Sequence, residues 1–331
     1  MDATPLRMAS WMRRLKFRHL EVLLAVARHR SLTATAEALG ASQPAVSQWV
    51  ADIEAMLGVP LFVRGRQLQP TAYLEPVLWH ARRMVNDSQR LQAELRAIEA
   101  GDAGVVRIGA MQVAGPMLLP QALLRLRSAG AGLRIELVED IAAGLWPRFA
   151  RNELDVLVAR LDERAYAAGV PCEALYDDPH CVVAGRHHPL LRKRRPTWVD
   201  AAAYPWIMPP AGTALRQAID ATFIAERVAP PHSWLESTAM TPNQVLLQQT
   251  ECLAVMSGTL ARHVEATLGL RALPLQLAAE TGPVGMVWHD LEPTPVARRV
   301  LDALRDAARQ IGKTAKSRAT RARRRPQAAS G

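Results

Sequence analysis

Residues 42–62, SQPAVSQWVADIEAMLGVPLF, constrain this chain more than any other stretch. A serine and an early proline open the stretch, which marks a capped helix start. Val46, Val50, Ile53 and Leu57 then recur at steps of four, three and four, placing one apolar stripe along a helix. Gln43, Ser47 and Gln48, at the start of the opposite side, are small or amide-bearing and uncharged. Gln pairs in bidentate fashion with adenine and Ser bonds several base edges, so this face suits the DNA major groove. It equally suits the plain polar surface of a small helical bundle.

The flanks favour the groove. Residues 17–30 predict a helix with Leu20, Leu23, Leu24 and Ala27 on one face. Ser31 is placed to cap a second helix over 32–39, whose Ala34, Ala36 and Ala38 permit close approach. Gly40-Ala41 breaks it and Ser42 caps the third helix, with Pro44 in its first turn. Two short helices joined by such a turn form a helix-turn-helix, whose second helix enters the groove by its N-terminal end. Residues 63–71, VRGRQLQPT, then suit a short two-stranded wing with Arg64 and Arg66 at its tip, in reach of phosphate or the minor groove. Exposed arginines are also common on any surface.

Residues 17–66 resemble the winged helix-turn-helix of the LysR-type transcriptional regulators. The helical start RHL, the AEAL-G turn, SQPAVSQ, the I-E-x-x-L-G-V-x-L-F run and the arginine pair occur in family order and spacing. The resemblance implies base-facing or groove-entering roles for Gln43, Pro44, Ser47 and Gln48, and wing contacts for Arg64 and Arg66. Ser31, Thr33 and Ser42, at the helix starts, complete the candidate DNA-contact set. The chain departs from the family in a wing one residue shorter without its turn glycine, and in Leu74 where glycine is usual.

From residue 72 the pattern stays helical for about 28 residues, roughly 42 Å at 1.5 Å per residue. Val77, Ala81, Met84, Ser88, Leu91, Leu95 and Ile98 alternate steps of four and three, a seam broken only by polar Ser88. Such a seam packs on a second subunit or on its own domain; the resemblance implies a homodimer or homotetramer through Val77, Ala81, Met84, Leu91, Leu95 and Ile98. Pro76 fits only near the helix start, and residues 101–104 read as a hinge.

Beyond the hinge, apolar strands (105–110, 133–137, 155–159) alternate with helices (118–128, 145–153), the pattern of an α/β domain with a mostly parallel sheet. A second series follows at 181–183, 206–207, 234–235 and 252–256. Strand 284–288 and helix 296–311 would fold back onto the first half. Residues 241–244 read as a capping-box helix start. This order is similar to the LysR effector domain, two α/β lobes in a periplasmic-binding-protein-like arrangement. LDVLVAR, HHPL, PPAGTALRQAID and GPVGMVWH resemble the branch that regulates sugar uptake and protocatechuate breakdown.

The expected fold is thus multidomain. It comprises an all-α winged helix-turn-helix head (14–71), a linker helix (72–100), the hinge (101–104), a two-lobe α/β effector domain (105–311) and a disordered basic tail (312–331). Ligands of open α/β sheets sit beyond the carboxyl ends of strands, near helix N-termini. That rule selects Met111, Gln112 and Val113; Arg160; Pro210, Gly212 and Thr213; and Ser237 and Thr238. Thr213 and Ser237 offer hydrogen bonds, and Arg160 either balances a carboxylate or is an ordinary surface arginine. An anionic carboxylate and a sugar both remain open as effectors.

Formal charge is +10, but residues 313–331 hold seven Lys or Arg and no acid; elsewhere 34 basic residues face 31 acidic ones. Basicity alone is therefore a weak argument for a polyanion partner, and the tail is a solvated end or an auxiliary nucleic-acid contact. No apolar run reaches the roughly 18 residues of a membrane span, and no secretion signal is evident, so the expected location is the cytoplasm, away from membranes. Three cysteines argue against a disulfide framework. H-E-x-x-H, P-loop, G-x-S-x-G and Cys-x-x-Cys motifs are missing, which argues against an enzyme and implies no cofactor or metal. The leading expectation is a transcriptional regulator that binds double-stranded DNA, answers a small molecule and touches RNA polymerase. The alternatives are an architectural DNA binder working through its tail, and a solute-binding module or enzyme on the two-lobe scaffold.

Overall fold

The second and third helices of the head begin where the sequence supplies a serine cap. The computed structural model describes residues 14–63, 68–99, 104–130, 132–167, 169–279, 281–289 and 291–323, with side chains of the last helix to Lys313. Two units make up the chain, one on residues up to 101 together with 147–153, the other on the remainder.

In the first unit, α1 (Phe17–His29), α2 (Leu32–Ala38) and α3 (Gln43–Leu57) precede a two-stranded antiparallel wing, β1 (Phe62–Val63) with β2 (Gln69–Pro70), and the long α4 (Leu74–Glu99). Ser31 caps α2 and Ser42 caps α3, each accepting from the backbone N–H three residues on. Gly58 ends α3 with φ of 73°, a left-handed conformation that suits glycine. Val46, Val50 and Ile53 of α3 meet Val22, Leu23 and Val26 of α1 in one core with Leu61 and Phe62. Glu54 Oε1 accepts from the N–H groups of Leu61 (2.7 Å) and Phe62 (3.0 Å), binding the start of the wing to α3. Thr71 Oγ1 donates to Pro60 O at 2.7 Å and closes the base of the wing.

The linker seam divides in two. Leu74 and Leu78 enter the head core, Val77 packs against it and Ala81 is fully buried, so neither Val77 nor Ala81 forms part of an exposed stripe. Met84, Leu91, Leu95 and Ile98 stay 42%, 57%, 53% and 72% exposed. Spacings of four and three mark any core-facing helix as well as a coiled coil, so the sequence runs the two stripes together. Pro76 lies in the first turn of α4, where its missing N–H breaks no helical bond.

After α4 the chain continues with β3 (Gly104–Ala110), α5 (Leu118–Ser128), β4 (Leu133–Glu139), α6 (Ala142–Ala150), β5 (Val156–Arg160), α7 (Glu163–Ala167) and β6 (Cys172–Tyr176). Next come β7 (His180–Ala184), α8 (Trp198–Ala202), β8 (Trp206–Met208), α9 (Ala214–Ala225), β9 (Ser233–Glu236) and α10 (Met240–Gln249). The last elements are β10 (Leu253–Ser257), α11 (Gly258–Leu268), β11 (Arg271–Gln276), β12 (Val284–Trp288) and α12 (Pro295–Arg323). One lobe carries the sheet β4-β3-β5-β12-β6, the other β11-β7-β10-β8-β9, and the chain crosses between them at 177–179 and 277–283.

Neither sheet is mostly parallel. β3 runs parallel to β4 and β5, whereas β12 is antiparallel to β5 and β6; likewise β8 is parallel to β9 and β10, but β7 is antiparallel to β10 and β11. The strand that enters each lobe by a crossing, β7 or β12, runs against the others of its sheet, which a buried apolar run does not reveal. In the first lobe, Val300, Leu304, Ala307 and Ile311 of α12 share a core with Leu118, Ala122 and Leu126 of α5. In the second, Trp198, Trp206 and Phe223 interlock with ring centroids 5.1–6.1 Å apart, and Trp206 Nε1 donates to Ala201 O at 2.9 Å.

Two helix boundaries differ from expectation. α10 starts at Met240, not at a Thr241 cap, because Ser237 Oγ holds the preceding turn through Ala239 N at 3.0 Å. α12 stays helical through Arg323, well into the tail expected to be disordered from 312, since Ala, Lys and Arg readily prolong a helix already nucleated by packing. The hinge residues 101–103 lie outside the described residues.

Replacing Glu54 tests the tie between wing and α3. Glu54→Ala is expected to cost about 2 kcal/mol in urea denaturation and Glu54→Gln about 1 kcal/mol, since the amide keeps an acceptor but loses the charge. Equal midpoints for wild type and Glu54→Ala would show that the tie contributes nothing.

Candidate functional site

The start of α3 presents its side chains outward. Gln43, Pro44 and Gln48 are exposed and Ser47 half-buried, while Ser42 Oγ is engaged with Ala45 N at 3.4 Å. Gln48 Nε2 donates to Asp52 Oδ1 at 2.8 Å, so one end of its amide is occupied. Ser31 Oγ holds Ala34 N at 3.3 Å, and Thr33 is exposed beside it. Sequence reasoning missed Arg18, whose guanidinium lies 3.9 Å from the ring centroid of Trp49, so that α1 adds a cation next to the α3 face. Arg64 and Arg66 lie outside the described residues.

The second candidate is a cleft of about 450 Å³ between the two lobes of the second unit. It opens beyond the carboxyl ends of β3, β4 and β5 on one side and of β8 and β9 on the other, where the strand-end rule puts a ligand. Met111, Gln112, Val113, Arg160, Gly212, Thr213, Ser237 and Thr238 all line it. Pro210 does not; Pro209 takes that place, and Pro210 O instead accepts from Thr213 Oγ1 at 2.8 Å. Sequence reasoning missed Glu139, Asp162, Arg164, His180, Asn243, Ser257 and Thr281, which also line the cleft. The strand-end rule reached Glu139 through β4 and was not applied there; His180 and Thr281 come together only through the crossings.

Most polar groups of the cleft already have work. Thr213 Oγ1 also accepts from Arg216 N at 3.3 Å as the cap of α9, so its proton and one lone pair are taken and it cannot donate to a ligand as expected. Ser237 accepts from Ala239 N, and Ser257 caps α11 through Leu260 N at 3.3 Å. Asp162 is ion-paired with Arg164. Gln112 Nε2 reaches across the cleft to Thr238 O at 3.2 Å and links the first lobe to the second.

Arg160, at the end of β5, spans the floor. Its Nη1 donates to Gly282 O at 2.8 Å and its Nη2 to Asp178 O at 2.5 Å, one carbonyl from each crossing. Burial lowers its pKa from the ordinary value, and the Asp178 carboxylate partly offsets that shift. The crossings are also joined by His180 Nδ1 and Thr281 Oγ1, 3.2 Å apart. Burial, with the nearby Arg160 charge, pushes His180 down to about 3, so the imidazole is neutral near neutral pH. Asp178 Oδ1 accepts from Thr259 N at 2.7 Å, while Oδ2 is buried without a partner among the described residues. Asn243 Oδ1 is likewise buried and unpartnered.

Known proteins match both units. Residues 17–73 match the family described as bacterial regulatory helix-turn-helix protein, lysR family, and residues 99–309 match the LysR substrate binding domain. The chain is similar to the HTH-type transcriptional regulator GbpR of Azospirillum brasilense, 32% identical over 89% of this chain and 87% of the relative. It is also similar to the HTH-type transcriptional regulator PcaQ of Agrobacterium fabrum, 29% identical over 90% and 96%. Among solved structures, the LysR family regulator CbnR shares the fold with a TM-score of 0.63 at 18% identity, covering 89% of this chain and 99% of that one. With a helix-turn-helix head, a two-lobe domain and both family matches in register, the chain belongs to the LysR family of DNA-binding transcriptional regulators.

Proposed function

We propose that this regulator reads base edges with Gln43, Ser47 and Gln48 on α3 and changes its DNA engagement when a small molecule fills the cleft between its lobes. The observation that supports base reading is the exposed, uncharged start of a capped α3, adjacent to Arg18. Ser31, Thr33, Ser42, Pro44 and the wing arginines Arg64 and Arg66 would position the head on phosphate and groove. The cleft supports the effector reading by its volume and its apolar lining with a few polar groups. Control requires that the effector bind one arrangement of the lobes better than another.

In this reading the exposed stripe of α4, Met84, Leu91, Leu95 and Ile98, is covered by a second copy of the chain. The protein works as a regulator rather than an enzyme, in the cytoplasm where DNA is found, with catabolic or uptake genes as targets. The basic tail is a second, weaker reading, supported by the seven Lys or Arg after residue 312.

Fluorescence anisotropy on DNA from upstream of the protein's own gene checks base reading. Gln43→Ala and Ser47→Ala are each expected to cost about 1–3 kcal/mol on that DNA and almost nothing on scrambled DNA. Truncation after Lys313 is expected to keep the sequence preference and to flatten the salt dependence; loss of all DNA affinity would move recognition to the tail. Sedimentation of Leu91→Glu with Leu95→Glu is expected to show a monomer where the wild type is oligomeric. An unchanged oligomer would place the interface elsewhere.

A further inference from the structure

The turn that follows β7 in the second lobe, residues 185–197, concentrates the net positive charge that lies outside the tail. Residues 186–200 hold five Lys or Arg and one acid, whereas the other residues up to 312 hold 29 basic and 30 acidic ones. The turn is firmly seated. Gly185 lies so close to α10 that a Cβ there would come within 2.3 Å of Leu247 O. His188 is buried; its Nδ1 accepts from Leu190 N at 3.2 Å, so the proton sits on Nε2, which donates to Glu251 O at 3.1 Å. Leu190 and Trp198 enter the core of this lobe, and Thr197 with Asp200 forms a capping box at the start of α8.

Arginines stand out from this fixed frame. Arg186, Arg192, Arg194 and Arg195 are exposed, and no side-chain hydrogen bond or ion pair holds them among the described residues. Of the five cations only Lys193 is paired, with Asp200 Oδ1 at 2.5 Å. The other acid against the turn, Glu251, pairs with none of the four arginines, and Glu265 is taken by Arg271 at 2.6 Å. Residues 192–195 span at most about 11 Å of chain, so like charges crowd one another with nothing in the fold to offset them. A DNA duplex supplies one phosphate charge per roughly 1.7 Å of its axis, and a guanidinium fork meets phosphate oxygens in bidentate fashion. A protein partner fits less well, because interfaces close around apolar anchors and Val199 is the one exposed large apolar side chain within residues 186–200. The same lack of an apolar face tells against a lipid surface.

We propose that this turn is a second contact for double-stranded DNA, in which Arg192, Arg194 and Arg195, with Arg186 from the start of the turn, take backbone phosphates without regard to base sequence. It is separate from the α3 face and from the basic tail. Membership of a DNA-binding family puts duplex among the chain's working partners, which makes phosphate the polyanion at hand. The buried His188, Leu190 and Trp198 hold the backbone, so the arginine side chains are presented without ordering a loop first.

Anisotropy of the full-length protein on scrambled duplex across a salt series tests this with two triple variants. One carries Arg192→Gln, Arg194→Gln and Arg195→Gln; the control removes three charges from the first lobe by Arg127→Gln, Arg298→Gln and Arg299→Gln. Each lost phosphate contact lowers the slope of log affinity against log salt by about 0.9, so two or three lost contacts shrink the affinity change between about 50 and 200 mM salt roughly tenfold or more. The turn variant is expected to show that loss, by the same factor on DNA from upstream of the protein's own gene and on scrambled DNA, and again after truncation at Lys313. The control is expected to move the slope by less than half as much. Circular dichroism checks folding, and single substitutions, each expected to remove about one contact, replace the triple if it fails to fold. An unchanged slope, an equal effect of the control, or a loss that disappears once the tail is removed overturns the proposal. So does a larger loss of binding to polyglutamate or to phosphatidylglycerol vesicles than to duplex, which would give the turn to an acidic protein or to a lipid surface. Scrambled DNA carries no operator, so these outcomes stand apart from base reading by α3.

Discussion

The relation between the two lobes of the effector domain rests on how their two crossings are held. The chain crosses between the lobes at 177–179 and 277–283, and Arg160 takes a carbonyl from each, Asp178 O and Gly282 O. Gly282 has φ of 80°, and a Cβ there would come within 2.2 Å of Leu161 O, so only glycine presents that carbonyl in this direction. A planar guanidinium cannot rotate toward one partner without disturbing the other. A change in the placement of Arg160 therefore acts on both crossings together. His180 and Thr281 add a second tie between the same crossings, kept neutral by burial so that it introduces no competing charge.

The head was legible in the sequence because its determinants are local. Ser31 and Ser42 each cap a helix within three residues, Pro44 and Gly58 mark the ends of α3, and the Val46–Val50–Ile53 spacing sets its buried face. The strand-end loops were legible for a different reason: the rule that puts ligands beyond strand termini depends on element order, not on contacts. Its misses follow from the same limit. Thr213 stands in the right loop, but its hydroxyl belongs to the α9 cap and to Pro210 O, which spacing does not disclose. His180 and Thr281 meet across 101 residues of chain, and the burial of Asn243 Oδ1, without a partner among the described residues, depends on tertiary packing. Strand direction was misjudged because apolar runs look alike in parallel and antiparallel neighbours.

The two candidate sites differ in how far their polar groups are already engaged. At the start of α3, Gln43 and Pro44 stand in solvent and Gln48 bonds Asp52. Between the lobes, most polar side chains already hold a partner, Thr213 through both its proton and a lone pair, while among the described hydrogen bonds the outer donors of Arg160 and the hydroxyl protons of Ser237 and Ser257 are not used. A site with few unmet groups rejects ligands that bring more polarity than it can satisfy, and it rejects equally those that leave its own groups unmet.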